Sequence, residues 1–134
     1  GGTVAGLIVG AGLLEIPFHV HVISVEYPKK DLLKIINNFI NETEELIGMK
    51  ITYPIDRVMT IYDDYMGEGW GKPTKESESM LYEFPQLEGI FVENVYTSKT
   101  VVGMVDLLKK QVIPEKEGAC YWHTGGLPSL FAQI

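Results

Sequence analysis

Arginine occurs once in this sequence, at Arg57, and cysteine once, at Cys120. A single thiol excludes an internal disulfide framework and suits a reducing, cytoplasmic compartment, with Cys120 read as a small buried strand residue rather than a nucleophile. Positive charge is scarce: 11 Lys and Arg face 18 Asp and Glu, for a formal net charge of -7. That balance argues against nucleic acid as a partner, because a phosphate backbone is met by clustered cations. Long apolar runs are missing too. The uncharged stretch Val4–Leu14 is shorter than the roughly 20 residues that span a bilayer, and no basic segment precedes it. It reads as a buried helix, so neither membrane nor signal peptide is expected. Repeats, low-complexity tracts and linkers are also absent. What is present is 134 residues, 46% hydrophobic and 22% charged, enough for one globular domain over 1–134. No methionine stands ahead of Gly1, and the chain opens in a loop-to-helix pattern, so a piece of a longer protein is expected.

Hydrophobic spacing and breakers suggest alternating helices and strands. Thr3–Leu14 is apolar nearly all round, as a helix packed against a sheet is. Val20–Val25 reads as a strand. Leu32, Leu33, Ile35, Ile36, Phe39, Ile40 and Leu46 form the stripe of a helix that starts near Pro28 and stops at Gly48. Val58–Tyr62 is a second strand, followed by a loop rich in glycine around Trp70. A helix over 74–84 broken by Pro85, a strand near Ile90–Val92, a helix over 98–110, a strand near Ala119–Trp122 and a short helix after Gly126 complete the pattern. Alternation of this kind predicts an α/β, three-layer α/β/α fold with a mainly parallel sheet. Loops at the carboxyl ends of such strands carry ligands, and they include the Trp70 loop, the Val95–Thr97 turn and the His123–Gly126 turn.

Several constellations compete for a functional reading. Gly10-x-Gly12 lacks the third glycine of a dinucleotide turn and fits helix packing better. His19 and His21 share a strand face, as metal ligands can, but no acid or cysteine joins them at ligand spacing. Asp63 and Asp64 fit a capped turn better than acid–base work. Gly1-Gly2-Thr3 and His123-Thr124-Gly125-Gly126 are glycine turns feeding helices, an arrangement that offers backbone N–H groups to an anion. Tyr96-Thr97-Ser98 sets three hydroxyls at a helix start, where Thr97 or Ser98 serves as the expected N-cap.

Taken in order, Gly1-Gly2-Thr3-x-Ala5-Gly6-Leu7, Asp63-Asp64-Tyr65, Gly69-x-Gly71-x-Pro73, Leu87-Glu88-Gly89-Ile90, Val95-Tyr96-Thr97-x-Lys99 and His123-Thr124-Gly125-Gly126-x-Pro128-x-Leu130-Phe131 resemble a known family. It is the fold-type II pyridoxal 5'-phosphate (PLP) enzymes, in the branch of D-cysteine desulfhydrase and 1-aminocyclopropane-1-carboxylate deaminase. The likeness covers essentially the whole chain and the C-terminal part of the family's sequence.

The resemblance implies a tryptophan synthase β-like large domain that binds PLP. Gly1, Gly2 and Thr3 would hold the cofactor phosphate, Thr97 would meet the pyridine nitrogen, and Thr124 and Gly125 would line the cofactor. Tyr96 and Thr124 would act on the substrate side, with Trp70 in the substrate loop where the family often has tyrosine. Asn94 stands in place of the usual proline. Ring-opening deaminases carry an acid at the position of Thr97 and leucine at that of Thr124. Threonine at both favours α,β-elimination of D-cysteine to pyruvate, sulfide and ammonia, with deaminase or cysteate sulfo-lyase chemistry as alternatives. The family's Schiff-base lysine follows an asparagine, and no Asn-Lys pair occurs here. The fragment alone is therefore expected to be inactive; a small amino-acid substrate, the N-terminal part and a second copy as homodimer are its expected partners. From the residues themselves, a non-catalytic α/β binding module and a nicotinamide-binding domain remain as rival readings.

Overall fold

The structure, a computed structural model, describes residues 1–15, 17–52 and 54–132. The chain forms two compact units, Gly1–Asp63 and Asp64–Ile134.

The first unit is built on a parallel pair of strands. β1 (Val20–Ile23) and β2 (Met59–Tyr62) align Val20 with Met59 and Ile23 with Tyr62. Parallel neighbours need a crossover, supplied here mainly by α2 (Lys29–Ile47). The α2 stripe buries Leu32, Ile36 and Ile40 every fourth residue, and the polar remainder faces out. Asp63 accepts the Lys29 N–H at 2.7 Å and so caps its start. Gly48, with φ 67°, closes it in the left-handed conformation. α1 (Gly2–Leu14) is apolar all round and packs Ala5, Ile8 and Val9 into the same core as Val22, Met59 and Ile61. The Gly10-Gly12 pair lies within α1, away from any helix start, so the dinucleotide-turn reading is excluded. A short α3 (Ile55–Val58), not anticipated from the sequence, leads into β2.

On the outer face of the strands, His19 Nε2 lies 2.8 Å from Thr60 Oγ1, and His21 Nδ1 lies 3.0 Å from the Tyr62 hydroxyl. Burial, and then the neighbouring His19, push the His21 pKa down. No cluster of three or more metal-ligating side chains occurs among the described residues, and both histidines are engaged across the strand pair.

The second unit holds α4 (Lys75–Glu88), α5 (Thr97–Lys109) and α6 (Leu127–Leu130), with a 3-10 turn at Glu115–Glu117. Thr74 and Ser77 form a reciprocal capping box at the start of α4. Pro85 does not break this helix. It lacks an N–H of its own, but its carbonyl still accepts the Gly89 N–H at 3.0 Å, and the helix runs on to Glu88. The segments 90–92 and 119–122 are not strands. A strand exists only through ladder bonds to a neighbour, and among the described residues the one ladder is that of β1 with β2. Cys120, expected to be buried, is exposed. The α/β class with a parallel sheet is as expected.

Gly12 and Gly10 give opposite expectations. A Cβ on Gly12 would lie 2.8 Å from Ile51 Cγ2 and 3.0 Å from Ile51 Cβ, whereas one on Gly10 meets nothing within 4 Å. Gly12→Ala is expected to destabilise the fold by about 1–3 kcal/mol through overpacking. Gly10→Ala is expected to stabilise it by about 0.5–1 kcal/mol through helix propensity. Urea midpoints of the two variants check both signs.

Candidate functional site

Several of the deepest side chains of the second unit are polar. Glu93 (0% exposed), Ser98 (0%) and Lys99 (1%) lie at or near the start of α5, beside buried Val92 and Val101. Buried polar groups require partners, and Glu93 has them in number. Its Oε1 accepts the Tyr96 N–H at 2.9 Å and the Thr97 N–H at 2.8 Å. Its Oε2 accepts the Val95 N–H at 2.7 Å and the Ser129 hydroxyl at 3.2 Å. A helix start leaves its first N–H groups without intrahelical acceptors. Here Glu93 takes the first two, the Thr97 N–H on its carboxylate and the Ser98 N–H on its main-chain carbonyl at 2.9 Å, so neither Thr97 nor Ser98 is the N-cap; that position is Tyr96, whose side chain makes no cap bond.

Thr97 is buried. Its Oγ1 accepts the Glu93 N–H at 2.7 Å and lies 3.1 Å from Glu93 Oε1. Tyr96 is 42% exposed, and its hydroxyl accepts the Trp70 indole N–H at 2.6 Å. The two rings meet edge to face, 6.4 Å between centroids. Because the phenol oxygen is the acceptor, the phenol proton is free for another partner. The Trp70 loop and the Tyr96–Thr97 turn are thus brought together, as expected.

The His123–Gly126 turn joins the same cluster. Gly126 has φ 90°, and a Cβ there would fall 2.9 Å from Glu93 Cγ and Oε1, so only glycine lets the backbone pass the carboxylate. His123 Nδ1 accepts the Gly125 N–H at 3.2 Å, which leaves Nε2–H to donate to the Phe91 carbonyl at 2.9 Å. Thr124, between them, is exposed, and Gly125 is half-buried. Tyr121 places its hydroxyl 2.7 Å from Thr100 Oγ1 and 3.2 Å from the Thr97 carbonyl, and burial pushes its pKa up. Glu93, His123 as a turn-former and Tyr121 were not singled out from the sequence. For Glu93 a signal was available: an acid four residues ahead of a helix start can reach back over its N–H groups.

Gly1, Gly2 and Thr3 belong to the first unit and are exposed. α1 begins at Gly2 with no side-chain cap and no acid in its first turn. Among the described residues no side chain caps its leading N–H groups. A Cβ on Gly1 would lie 2.9 Å from Ile35 Cγ2, so this backbone lies flush against α2, while Gly2 meets nothing within 4 Å.

No protein-family model matches the chain. Individual proteins do. A candidate 1-aminocyclopropane-1-carboxylate deaminase of Thermotoga maritima is 32% identical over 99% of this chain and 40% of its own length. One of Pyrococcus abyssi is 31% identical over 98% of the chain and 38% of its own. A D-cysteine desulfhydrase of Klebsiella pneumoniae is 36% identical over 55% of the chain and 23% of its own. A crystal structure described as an ACC deaminase homologue superposes with a TM-score of 0.71 at 31% identity, over 81% of this chain and 32% of that one. The chain is similar to proteins named as ACC deaminases and to one named D-cysteine desulfhydrase. It spans about two fifths of the length of the first curated relatives it matches. The fold match agrees with the fold-type II class, and the family agrees with the motifs that the site now explains: Tyr96-Thr97 by the Glu93 turn, and Gly125-Gly126 by the passage beside it.

Replacing Glu93 tests this construction. Glu93→Ala leaves three N–H groups without their acceptor and is expected to cost about 3 kcal/mol or more, since each buried unsatisfied group costs roughly 1–3 kcal/mol. Ser129→Ala removes one donor only and should cost no more than about 1 kcal/mol. Denaturant unfolding of both variants gives the comparison.

Proposed function

We propose that this chain is the C-terminal, cofactor-binding part of a PLP-dependent lyase that eliminates the thiol of D-cysteine, giving pyruvate, sulfide and ammonia. The observation that carries the reading is Thr97: a neutral hydroxyl on the first turn of α5, where the resemblance puts an acid in ring-opening relatives. Glu93 lies behind Thr97, but its oxygens already serve the turn's N–H groups and Ser129.

The residues present fit the cofactor. The glycine turn Gly1, Gly2 and Thr3, at the acid-free first turn of α1, suits a phosphate held by backbone dipoles, which explains how a chain with one arginine could take an anion. When bound, PLP supplies an electron sink at the substrate's α-carbon. The chain supplies orientation. Thr97, whose hydroxyl lies 3.1 Å from Glu93 Oε1 in this structure, would meet the pyridine nitrogen, and Tyr96 would present its phenol to the substrate, steadied by the Trp70 N–H. Thr124 and Gly125 line the substrate side on a turn fixed by His123. No Asn-Lys pair occurs in the chain, so the lysine that holds the cofactor covalently comes from outside these residues, as do the groups that grip the substrate carboxylate. A homodimer in the cytoplasm is the matching assembly and location.

A second reading is opening of the cyclopropane ring of 1-aminocyclopropane-1-carboxylate. It is favoured by the names of the two relatives that match nearly the whole chain.

The test is made on protein that carries the lysine-bearing region together with this chain. PLP is added, and sulfide and pyruvate are assayed with D-cysteine, and 2-oxobutanoate with 1-aminocyclopropane-1-carboxylate. Sulfide from D-cysteine with little 2-oxobutanoate is the expected result. The reverse ratio would replace elimination by ring opening, and a visible PLP band without either product would set both aside.

A further inference from the structure

Lys99 is the largest fully enclosed side chain among the described residues, 1% exposed, and no carboxylate pairs with it there. Taking an ammonium out of water costs several kcal/mol, and methionine would fill the same space without that cost. The charge is held by main-chain oxygens instead: Nζ donates to the Met66 carbonyl at 2.7 Å and to the Gly69 carbonyl at 2.8 Å. Burial pushes the Lys99 pKa down.

The two carbonyls bracket a loop whose own turn bonds run to the same oxygens, Gly69 N–H to Met66 and Lys72 N–H to Gly69, both at 3.3 Å. Gly67, Gly69 and Gly71 all have positive φ, 64°, 114° and 69°. Trp70 directly follows the second carbonyl, and its indole N–H reaches the Tyr96 hydroxyl. Tyr96 and Lys99 are three residues apart at the start of α5. One turn of helix therefore holds the loop twice, by its main chain at Lys99 and by its side chain at Tyr96.

We propose that Lys99 is a positioning residue that sets Trp70 against Tyr96 and thereby shapes the substrate side of the site. The substrate half of this statement rests on the function proposed for the chain; the loop half does not.

The experiment separates the two. The sequence has two tryptophans, and Trp122→Phe leaves Trp70 as the single reporter. In that background, Lys99→Met is expected to raise acrylamide quenching of Trp70 by about twofold, as the indole goes from 54% exposed toward full exposure. Tyr96→Phe should change Trp70 emission when Lys99 is present and have no effect in Lys99→Met. Lys99→Arg, which keeps charge and donors, should restore the response. Lys99→Gln, with a shorter neutral amide, gives an intermediate loss and replaces Lys99→Met if that variant fails to fold. Identical quenching and an unchanged response to Tyr96→Phe in Lys99→Met, or in Lys99→Gln where that variant replaces it, would overturn the proposal.

In the PLP-loaded protein with its lysine-bearing region, Lys99→Met is expected to raise KM for D-cysteine about fivefold, while kcat and the dissociation constant for PLP stay within about twofold. A released Trp70 with unchanged KM would remove the substrate half. Weakened PLP binding would show a general structural role instead. If the parent protein turns over no amino acid, the function proposed for the chain fails, and the fluorescence series still decides the role of Lys99.

Discussion

The second unit depends on one buried carboxylate. Glu93 takes the N–H groups of Val95, Tyr96 and Thr97 and the hydroxyl of Ser129. Helix N-termini are ordinarily capped by a neighbouring Ser, Thr, Asp or Asn. Using an acid further upstream folds the chain into a tight turn that the Thr97 hydroxyl closes from the other side by accepting the Glu93 N–H, and leaves the Tyr96 hydroxyl out of capping duty. The same oxygens force glycine at 126, because any side chain there would strike the carboxylate. Two loops distant in sequence are thus held to a common reference, and an exposed threonine and tyrosine acquire fixed positions.

In the first unit the corresponding economy lies at the start of α1. A chain with formal net charge -7 is a poor anion receptor by charge alone. The N–H groups of a first turn without acids offer local positive potential whatever the sign of the whole. The apolar core behind them, from Ile8 and Val9 to Ile36 and Ile61, makes that offer rigid.

Much of this was legible in the sequence, and the rest was not for identifiable reasons. Helix α2 could be read because its stripe and its Gly48 stop are local properties. The β1 and β2 strands could be read because they are short β-branched runs that pair with each other. The runs near Ile90 and Ala119 look the same in sequence, but a strand needs a neighbour, and sequence periodicity does not report one. Pro85 was misleading because it removes a single donor near a helix end that Gly89 closes anyway. The motif residues Tyr96, Thr97, Thr124 and Gly125 were found by resemblance, whereas Glu93 and Lys99 show their roles only once the fold buries them. A glutamate in a loop and a lysine in a helix ordinarily read as surface.

Amide hydrogen exchange at Val95, Tyr96 and Thr97 tests the central claim most directly. Acceptance of all three N–H groups by a fully buried carboxylate predicts slow exchange at each, close to that of the interior of α5 around Val101 and Leu107. Exchange at the rate of an exposed loop would contradict the account, because the turn that presents Tyr96 and Thr97 would then not be held by Glu93.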